Sequence, residues 1–264
     1  MIRESIVFGP IHSRRLGRSL GVNLLPSEGK FCNFDCIYCE CGWNADGRGD
    51  THLPTAAEVR SALEDKLLQL MLEGKGIDTI TFSGSGEPTL NPEFAAIIDD
   101  TLFLRDTYFP QAKVSVLSNA TRIHLPEVAA ALRKVDNAIL KIDAPTEALA
   151  ARINRPAKGY DLARTVEAMK GFDGQFILQT MFLRSPDFDS SSPEVLLPWM
   201  DLVRFLRPRR VMVYTVDRPA PMKGLGIYSE AQMREMLRPL IEEGFDIQIK
   251  GPAAVQNPDA SYKK

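Results

Sequence analysis

Short apolar runs alternate with amphipathic stretches along most of the chain, in six or seven units. The runs are rich in branched and aromatic residues and have the length of buried strands. They predict strands at Leu20–Leu25, Ile77–Ser83, Lys113–Ser118, Asn137–Ile142, Gln175–Leu183 and Arg210–Val216, with a shorter strand at Asp246–Ile249.

The stretches between these runs place apolar residues at helical spacing. The clearest helix begins at Thr55, where Glu58 gives the spacing of a capping box, and continues to Glu73. Further helices are predicted at Pro92–Asp106, Leu125–Lys134, Tyr160–Lys170, Pro193–Leu206 and Ser229–Glu243. Because strands and helices alternate, the pattern predicts an α/β fold with a parallel sheet covered by helices.

The chain shows no internal repeat and no linker rich enough in Pro, Gly or Ser to separate two domains. We therefore expect a single domain over residues 1–264, with residues 1–20 as an N-terminal extension. The stretch from Phe188 to Pro193 is predicted to be a surface loop, and residues 252–264 a flexible tail.

Composition and net charge limit the classes of partner that this protein is expected to bind. A hydrophobic content of 44% is enough for a full core, and a net charge of -2 gives no general attraction to polyanions. An RNA partner would therefore need a local basic patch, for which there are two candidate groups: Arg14, Arg15 and Arg18, and Arg204, Arg207, Arg209 and Arg210. The chain has neither an export signal nor a long apolar run, so we expect a cytoplasmic protein without a membrane partner.

All four cysteines lie between Cys32 and Cys41. Such clustering does not suit a disulfide framework and favours metal or redox chemistry. Cys32, Cys36 and Cys39 have the spacing C-x3-C-x2-C, which places three thiolates on one tight loop. Iron–sulfur clusters are normally held by four thiolates, so three would leave one iron open to an outside ligand.

This spacing, with Tyr38 directly before the third cysteine, resembles the radical S-adenosylmethionine (SAM) superfamily. The resemblance implies a partial (β/α)6 TIM-like barrel and a 4Fe-4S cluster on Cys32, Cys36 and Cys39. It also implies that SAM binds the open iron and is cleaved reductively to a 5′-deoxyadenosyl radical, which takes hydrogen from a substrate. The electron would come from a reductase such as a flavodoxin or ferredoxin, and backbone near Tyr38 would touch the adenine.

The ends of the predicted strands carry further candidates for SAM binding, because chemistry in α/β barrels gathers there. The run from Gly84 to Pro88 resembles the GGEP element of the superfamily, whose backbone and glutamate receive the SAM amino group. By the same resemblance the SAM-binding residues would be Tyr38, Gly84, Gly86, Glu87, Pro88, Ser118, Asn119, Asn154, Gln179 and Tyr214.

Lys141 and Asp143 follow an apolar strand and share one face of it, so both are predicted to point inward. They can be a structural ion pair or catalytic residues on the substrate side. Cys41 is left over from the three-thiolate site, and can be a spare thiol, a substrate-facing residue or a reserve ligand.

A closer resemblance spans nearly the whole chain. It rests on the basic, glycine-rich segment from Gly9 to Gly21, the Lys141-Ile-Asp143 strand, the Asn154-Arg155-Pro156 turn and the run from Tyr214 to Pro219. These resemble iron–sulfur oxidoreductases of bacteria and archaea that are related to the tRNA wybutosine-synthesising radical SAM enzymes. Those enzymes use two clusters and a lysine to add pyruvate carbons to a tRNA guanine.

This chain departs from that pattern, because it has no cysteine outside residues 32–41 with which to build the second cluster in the same way. Lys141 could still form an imine. The resemblance implies a small-molecule or RNA substrate, tRNA included.

Two alternatives stay open at the level of sequence. The first is an activase that makes a glycyl radical on a partner protein, as some enzymes with this cysteine spacing do. The second is a binding module without turnover, in which all four cysteines hold a structural zinc ion. Cys39 and Cys41 are separated by a single residue, tighter than a usual zinc knuckle, so the second alternative requires a strained loop.

Overall fold

A computed structural model describes residues 5–13, 15–46 and 49–252. Within them, eight strands form one curled sheet in the order β1-β2-β3-β4-β5-β6-β9-β10, and β7 and β8 form a separate pair. The strands are β1 (Val7–Ser13), β2 (Gly17–Val22), β3 (Thr79–Phe82), β4 (Lys113–Ser118), β5 (Asn137–Lys141), β6 (Ile177–Met181), β7 (Arg184–Ser185), β8 (Phe188–Asp189), β9 (Arg210–Tyr214) and β10 (Ile247–Lys250).

The helices cover the outer side of this sheet. They are α1 (Ala56–Leu72), α2 (Phe94–Tyr108), α3 (Pro126–Lys134), α4 (Glu147–Ile153), α5 (Leu162–Lys170), α6 (Pro193–Leu206), α7 (Glu230–Met236) and α8 (Arg238–Glu242), with a 3-10 turn at Pro88–Leu90. The capping box predicted for α1 is confirmed, since the Thr55 side chain accepts from the Glu58 backbone and the Glu58 carboxylate accepts from the Thr55 N–H. The α/β fold is that of a partial TIM-like barrel, as the sequence predicts.

From β2 onward every neighbouring pair of strands in the large sheet is parallel. The register pairs Lys141 of β5 with Gln179 of β6, and Met181 of β6 with Tyr214 of β9. Parallel pairing brings the carboxyl ends of the strands to one edge, so residues far apart in sequence meet there.

Part of the predicted N-terminal extension forms a strand of the large sheet. β1 pairs antiparallel with β2 and adds an edge strand to the sheet, with a bulge between Phe8 and Ile11. A Cβ atom on Gly21 would lie 2.1 Å from Cζ of Phe8, so the aromatic ring of β1 packs directly on the β2 backbone. The strand predicted to begin at Leu20 therefore begins earlier, at Gly17, and belongs to a hairpin.

Two predicted elements differ from the structure. The helix predicted over Ser229–Glu243 is two helices, because Pro239 lacks an N–H and starts a new first turn in α8. The predicted surface loop at Phe188 is instead packed, with Phe188 buried and the Tyr228 hydroxyl hydrogen-bonded to Asp189. Most of the tail predicted to be flexible, residues 253–264, lies outside the described residues.

Candidate active site

The cysteine loop is attached to the barrel on two sides. On one side the Phe31 N–H donates to the carbonyl of Ser85 at 2.8 Å, and the Glu87 N–H donates back to the Phe31 carbonyl at 3.1 Å. On the other side the Ile37 N–H donates to the carbonyl of Ile153, at the end of α4, at 3.0 Å. The loop is thus held between the turn after β3 and the end of α4.

Cys32, Cys36 and Cys39 line one cavity of about 190 Å³, which we call the inner cavity. Amide N–H groups approach two of the sulfurs. The Asn154 side chain donates to Cys36 Sγ at 3.4 Å, and the Phe34 backbone and the Asn119 side chain donate to Cys32 Sγ at 3.4 and 3.7 Å. Such hydrogen bonds support cluster-bound thiolates and tune their potential.

The thiols fit an iron–sulfur cluster better than a single metal ion. Among the described residues, which include all four cysteines, no three His, Cys, Asp or Glu side chains converge closely enough to hold one ion. The four thiols do not form a closed tetrahedron for one zinc ion in this part of the chain. They are instead spread around the inner cavity of about 190 Å³, which all four line.

Lys30 was not predicted as a site residue. Its side chain is 1% exposed and its ammonium group donates to Asp35 Oδ1 at 3.0 Å and to the Gly42 carbonyl at 3.3 Å. Burial lowers the pKa of Lys30, but the charges of Cys39 and Cys32 outweigh it, so the pKa is raised. The sequence gives no signal for this role, since a lysine near a loop is ordinarily solvated.

Cys41 lies against Cys39 and its thiol lies 3.6 Å from the Gly84 carbonyl. A hydrogen bond from Cys41, acting against burial and together with Lys30, lowers the pKa of Cys39 to about 5. The same contact, together with burial, raises the pKa of Cys41. Cys41 is therefore the thiol that keeps its proton while Cys39 is available as a thiolate.

The Gly84–Pro88 turn is built around a buried carboxylate. Glu87 accepts hydrogen bonds from Thr89 Oγ1 at 2.6 Å, Ser118 Oγ at 2.8 Å and the Asn119 N–H at 2.7 Å. Burial raises the pKa of Glu87 despite these bonds. A Cβ atom on Gly86, whose φ is 149°, would lie 1.8 Å from the Phe31 carbonyl oxygen, so only glycine fits between the turn and the cysteine loop.

A second buried network connects the third cysteine to β5. Asp143 accepts hydrogen bonds from the Tyr38 hydroxyl, from Asn154 Nδ2 at 2.6 Å and from the Met181 N–H at 2.8 Å. The Tyr38 hydroxyl in turn accepts from Lys141 Nζ at 3.0 Å. Asp143 thus fixes the position of the tyrosine beside Cys39.

The surroundings of Lys141 raise the pKa of its amino group. Burial lowers the pKa of Lys141, but Tyr214, Cys36 and Asp143 outweigh burial and raise it. An imine forms from an unprotonated amine, so the surroundings of Lys141 do not favour the imine that the sequence left open.

A second cavity of about 320 Å³, the outer cavity, adjoins the inner one. The β1–β2 hairpin contributes to its wall, and residues that line both cavities form the boundary between them: Arg15, Cys39, Cys41, Ser83, Gly84, Leu117 and Tyr214.

Some of the predicted site residues line a cavity, and others lie behind the lining residues and hydrogen-bond to them. The inner cavity alone is lined by Glu87, Ser118, Asn119, Lys141 and Gln179, together with Gly86, Cys32 and Cys36. Asn154 and Asp143 lie behind the cysteine loop, where they hold Cys36 and Tyr38. Pro88 is buried at the start of the 3-10 turn.

Three of the four arginines in one predicted basic group, Arg204, Arg209 and Arg210, are paired with other protein groups. Arg204 contacts Glu243 at 2.7 Å, and Arg210, the first residue of β9, contacts Asp246 at 2.8 Å. Arg209 donates to Asn137, the first residue of β5. These arginines therefore lie at the amino ends of the strands, opposite the cavities. Of the other group, Arg14 lies outside the described residues, Arg18 pairs with Asp78, and Arg15 lines both cavities.

A curled parallel sheet with three thiols facing a cavity at its carboxyl edge defines an iron–sulfur barrel enzyme. Residues 29–183, more than half of the chain, match the family model of the Radical SAM superfamily, and the chain belongs to that superfamily. It is a radical SAM enzyme, and its cofactors are a 4Fe-4S cluster and SAM.

The chain is similar in sequence to an archaeal protein and similar in fold to two solved radical SAM structures. The chain is 30% identical over 226 residues to UPF0026 protein MJ1312 of Methanocaldococcus jannaschii, covering 83% of this chain and 66% of that protein. In fold it is similar to a radical SAM methyltransferase from Sphaerobacter thermophilus, with a TM-score of 0.67, 16% identity, and 89% and 67% of the two chains covered. It is also similar to TYW1 with a lysine-pyruvate adduct bound, with a TM-score of 0.60, 14% identity, and 86% and 74% covered.

No helix among the described residues is both long and apolar enough to cross a membrane.

Proposed function

We propose that this enzyme cleaves SAM reductively at the inner cavity and uses the radical to take a hydrogen atom from a substrate held in the outer cavity. The observation that carries this proposal is the shared wall. Cys39 and Tyr214 line both cavities, so a group bound beside the thiols would lie close to a molecule bound in the outer cavity. The outer volume of about 320 Å³ suits a small molecule or a single nucleobase.

Of the four thiols that line the inner cavity, the three in the C-x3-C-x2-C spacing, Cys32, Cys36 and Cys39, are assigned to the cluster. When bound, the cluster and SAM supply a 5′-deoxyadenosyl radical. Gly84, Gly86 and Glu87 would receive the SAM amino group, because a buried carboxylate stabilises an ammonium group. The remaining residues assigned to SAM are Ser118, Asn119, Gln179 and Tyr214, which line the inner cavity, and Tyr38, which lines the outer cavity. Pro88 shapes the turn, and Asn154 acts through Cys36 and Asp143.

Lys141, Asp143 and Cys41 have different parts in this proposal. Lys141 places a positive charge on the inner wall, where it can hold an oxyanion of SAM or substrate. Asp143 is a positioning residue, because it accepts hydrogen bonds from Tyr38, Asn154 and the Met181 N–H. Cys41, which lines both cavities as Cys39 does, is outside the C-x3-C-x2-C spacing and is assigned to the substrate side.

We further propose that residues 1–264 act as one domain and take their electron from a reductase such as a flavodoxin or ferredoxin. The exposed side of the cysteine loop supports this, since Glu40 and Arg218 there are about half exposed. The substrate that we propose for the outer cavity is a small molecule or an RNA nucleobase, such as one in tRNA.

The test is anaerobic reconstitution with iron and sulfide, followed by dithionite and SAM, with 5′-deoxyadenosine measured by mass spectrometry. We expect release from the natural chain and none from Cys36→Ala. Cys41→Ala serves as the matched thiol variant and should keep the full iron and sulfide content. Reconstituted protein that holds a cluster but releases no 5′-deoxyadenosine would contradict the proposal.

A further inference from the structure

Arg15 lies at the boundary between the two cavities, on the turn between β1 and β2. Its guanidinium group stacks 4.5 Å from the centre of the Tyr214 ring. The Nη1 atom is buried, and finds no hydrogen-bond partner among the described residues. A buried charged donor without an acceptor is costly, so this atom points to a group that the polypeptide itself does not supply.

The charges around the outer cavity favour an anion. Arg15, Arg218 and Lys250 line it together with two carboxylates, Glu40 and Asp217. Glu40 is committed to Arg218, with 2.6 Å between the carboxylate and the guanidinium. Arg15, Lys250 and the carboxylate of Asp217 then remain among the charged lining residues, and the imidazole of His12 lines the same cavity.

We propose that Arg15 binds the oxyanion of the substrate, a carboxylate or phosphate group, and so holds an anionic small molecule beside the inner cavity. This inference rests on the proposed function. A guanidinium group presents a planar pair of donors that matches such an oxyanion. We assign the anion to the substrate because Arg15 lines the outer cavity together with Arg218 and Lys250, neither of which lines the inner cavity.

The experiment measures anion binding to the reconstituted holoenzyme with SAM present. The probes are inorganic phosphate and succinate, titrated calorimetrically without oxygen at constant ionic strength. We expect at least one probe to bind, and Arg15→Gln to weaken that binding at least about tenfold. Arg15→Lys keeps the charge but not the planar pair of donors, so it should recover part of the affinity.

Arg18→Gln is the matched control. It removes the same charge from the same hairpin, but Arg18 is paired with Asp78 and does not line either cavity. We expect it to keep the affinity for the probe. Binding of phosphate alone would indicate a phosphorylated substrate, and binding of succinate alone a carboxylic acid.

The inference is overturned if neither probe binds, or if Arg15→Gln binds the probe as tightly as the natural chain. It is also overturned if Arg15→Gln loses affinity for SAM while its anion binding is intact, because Arg15 would then serve the SAM carboxylate. Release of 5′-deoxyadenosine is scored separately. Failure of that assay refutes the radical chemistry, whereas failure of the titration refutes only the role of Arg15.

Discussion

Asn154 Nδ2 lies 3.4 Å from Cys36 Sγ and 2.6 Å from Asp143 Oδ2, and so connects a cysteine of the loop to the end of β5. Asn154 is 2% exposed and is the last residue of the turn that ends α4. One amide group therefore sets both the environment of a thiol and the position of a carboxylate.

The first prediction concerns the potential of the cluster. Asn154→Ala removes the N–H donor to Cys36, and a thiolate with fewer hydrogen bonds makes its cluster harder to reduce. We expect the midpoint potential to become more negative by tens of millivolts, measured by an anaerobic redox titration monitored by electron paramagnetic resonance. Asn44→Ala, which removes an amide that donates to the Phe34 carbonyl rather than to sulfur, is the control and should leave the potential unchanged. An unchanged potential in Asn154→Ala would show that this amide does not tune the cluster.

The second prediction concerns the buried lysine under the loop. Lys30→Met keeps the length of the side chain but removes the charge that faces Cys32 and Cys39. Without that charge the three thiolates repel one another more strongly, so cluster occupancy after reconstitution should fall at least severalfold. Iron and acid-labile sulfide per chain are the measurement. Lys158→Met, at an exposed lysine, is the control, and equal cluster content in both variants would refute the role of Lys30.

The third prediction separates close packing from backbone strain. Gly86→Ala places a methyl group 1.8 Å from the Phe31 carbonyl oxygen, whereas a methyl group at Gly159, also at positive φ, meets nothing within 4 Å. Gly159→Ala should therefore lower the free energy of unfolding by only about 1 kcal/mol. Gly86→Ala should lower the free energy of unfolding by more than Gly159→Ala does. It should also weaken SAM binding at least tenfold, measured by equilibrium dialysis. Equal effects of the two substitutions would argue against contact between this turn and the cysteine loop.

The fourth prediction is a pH dependence of stability. Burial acts to raise the pKa of Asp136, but hydrogen bonds from the Val114 N–H and Arg105 outweigh it and lower the pKa. A lowered folded-state pKa adds stability that is complete above the ordinary pKa of aspartate and is lost as the pH falls through the folded-state pKa. Asp136→Asn should cost about 1–2 kcal/mol at neutral pH, and the difference should shrink below about pH 4.

Urea unfolding of both chains at several pH values is the measurement for Asp136. Asp99→Asn is the control, because the pair of Asp99 with Lys134 is about half exposed and should contribute less than about 1 kcal/mol. A destabilisation of Asp136→Asn that stays constant down to pH 3 would exclude the carboxylate as its origin.

The amino-acid sequence by itself determined the class of enzyme, the three candidate cysteine ligands and the alternation of strands and helices. Those features are local: thiol spacing, capping at Thr55 and apolar runs are each set within a few residues. It also placed candidate residues at the strand ends, because parallel pairing forces those ends to meet.

Only the tertiary structure decided the burial of Lys30, the raised pKa of Lys141 and the position of Arg15 between two cavities. The tertiary structure also showed that Arg204, Arg209 and Arg210 lie at the opposite end of the strands from the cavities, where each pairs with another protein group. Charge and hydrogen bonding depend on neighbours brought from distant parts of the chain. No local pattern of residues records which of those neighbours will be close enough to shift a pKa or to leave a donor without an acceptor.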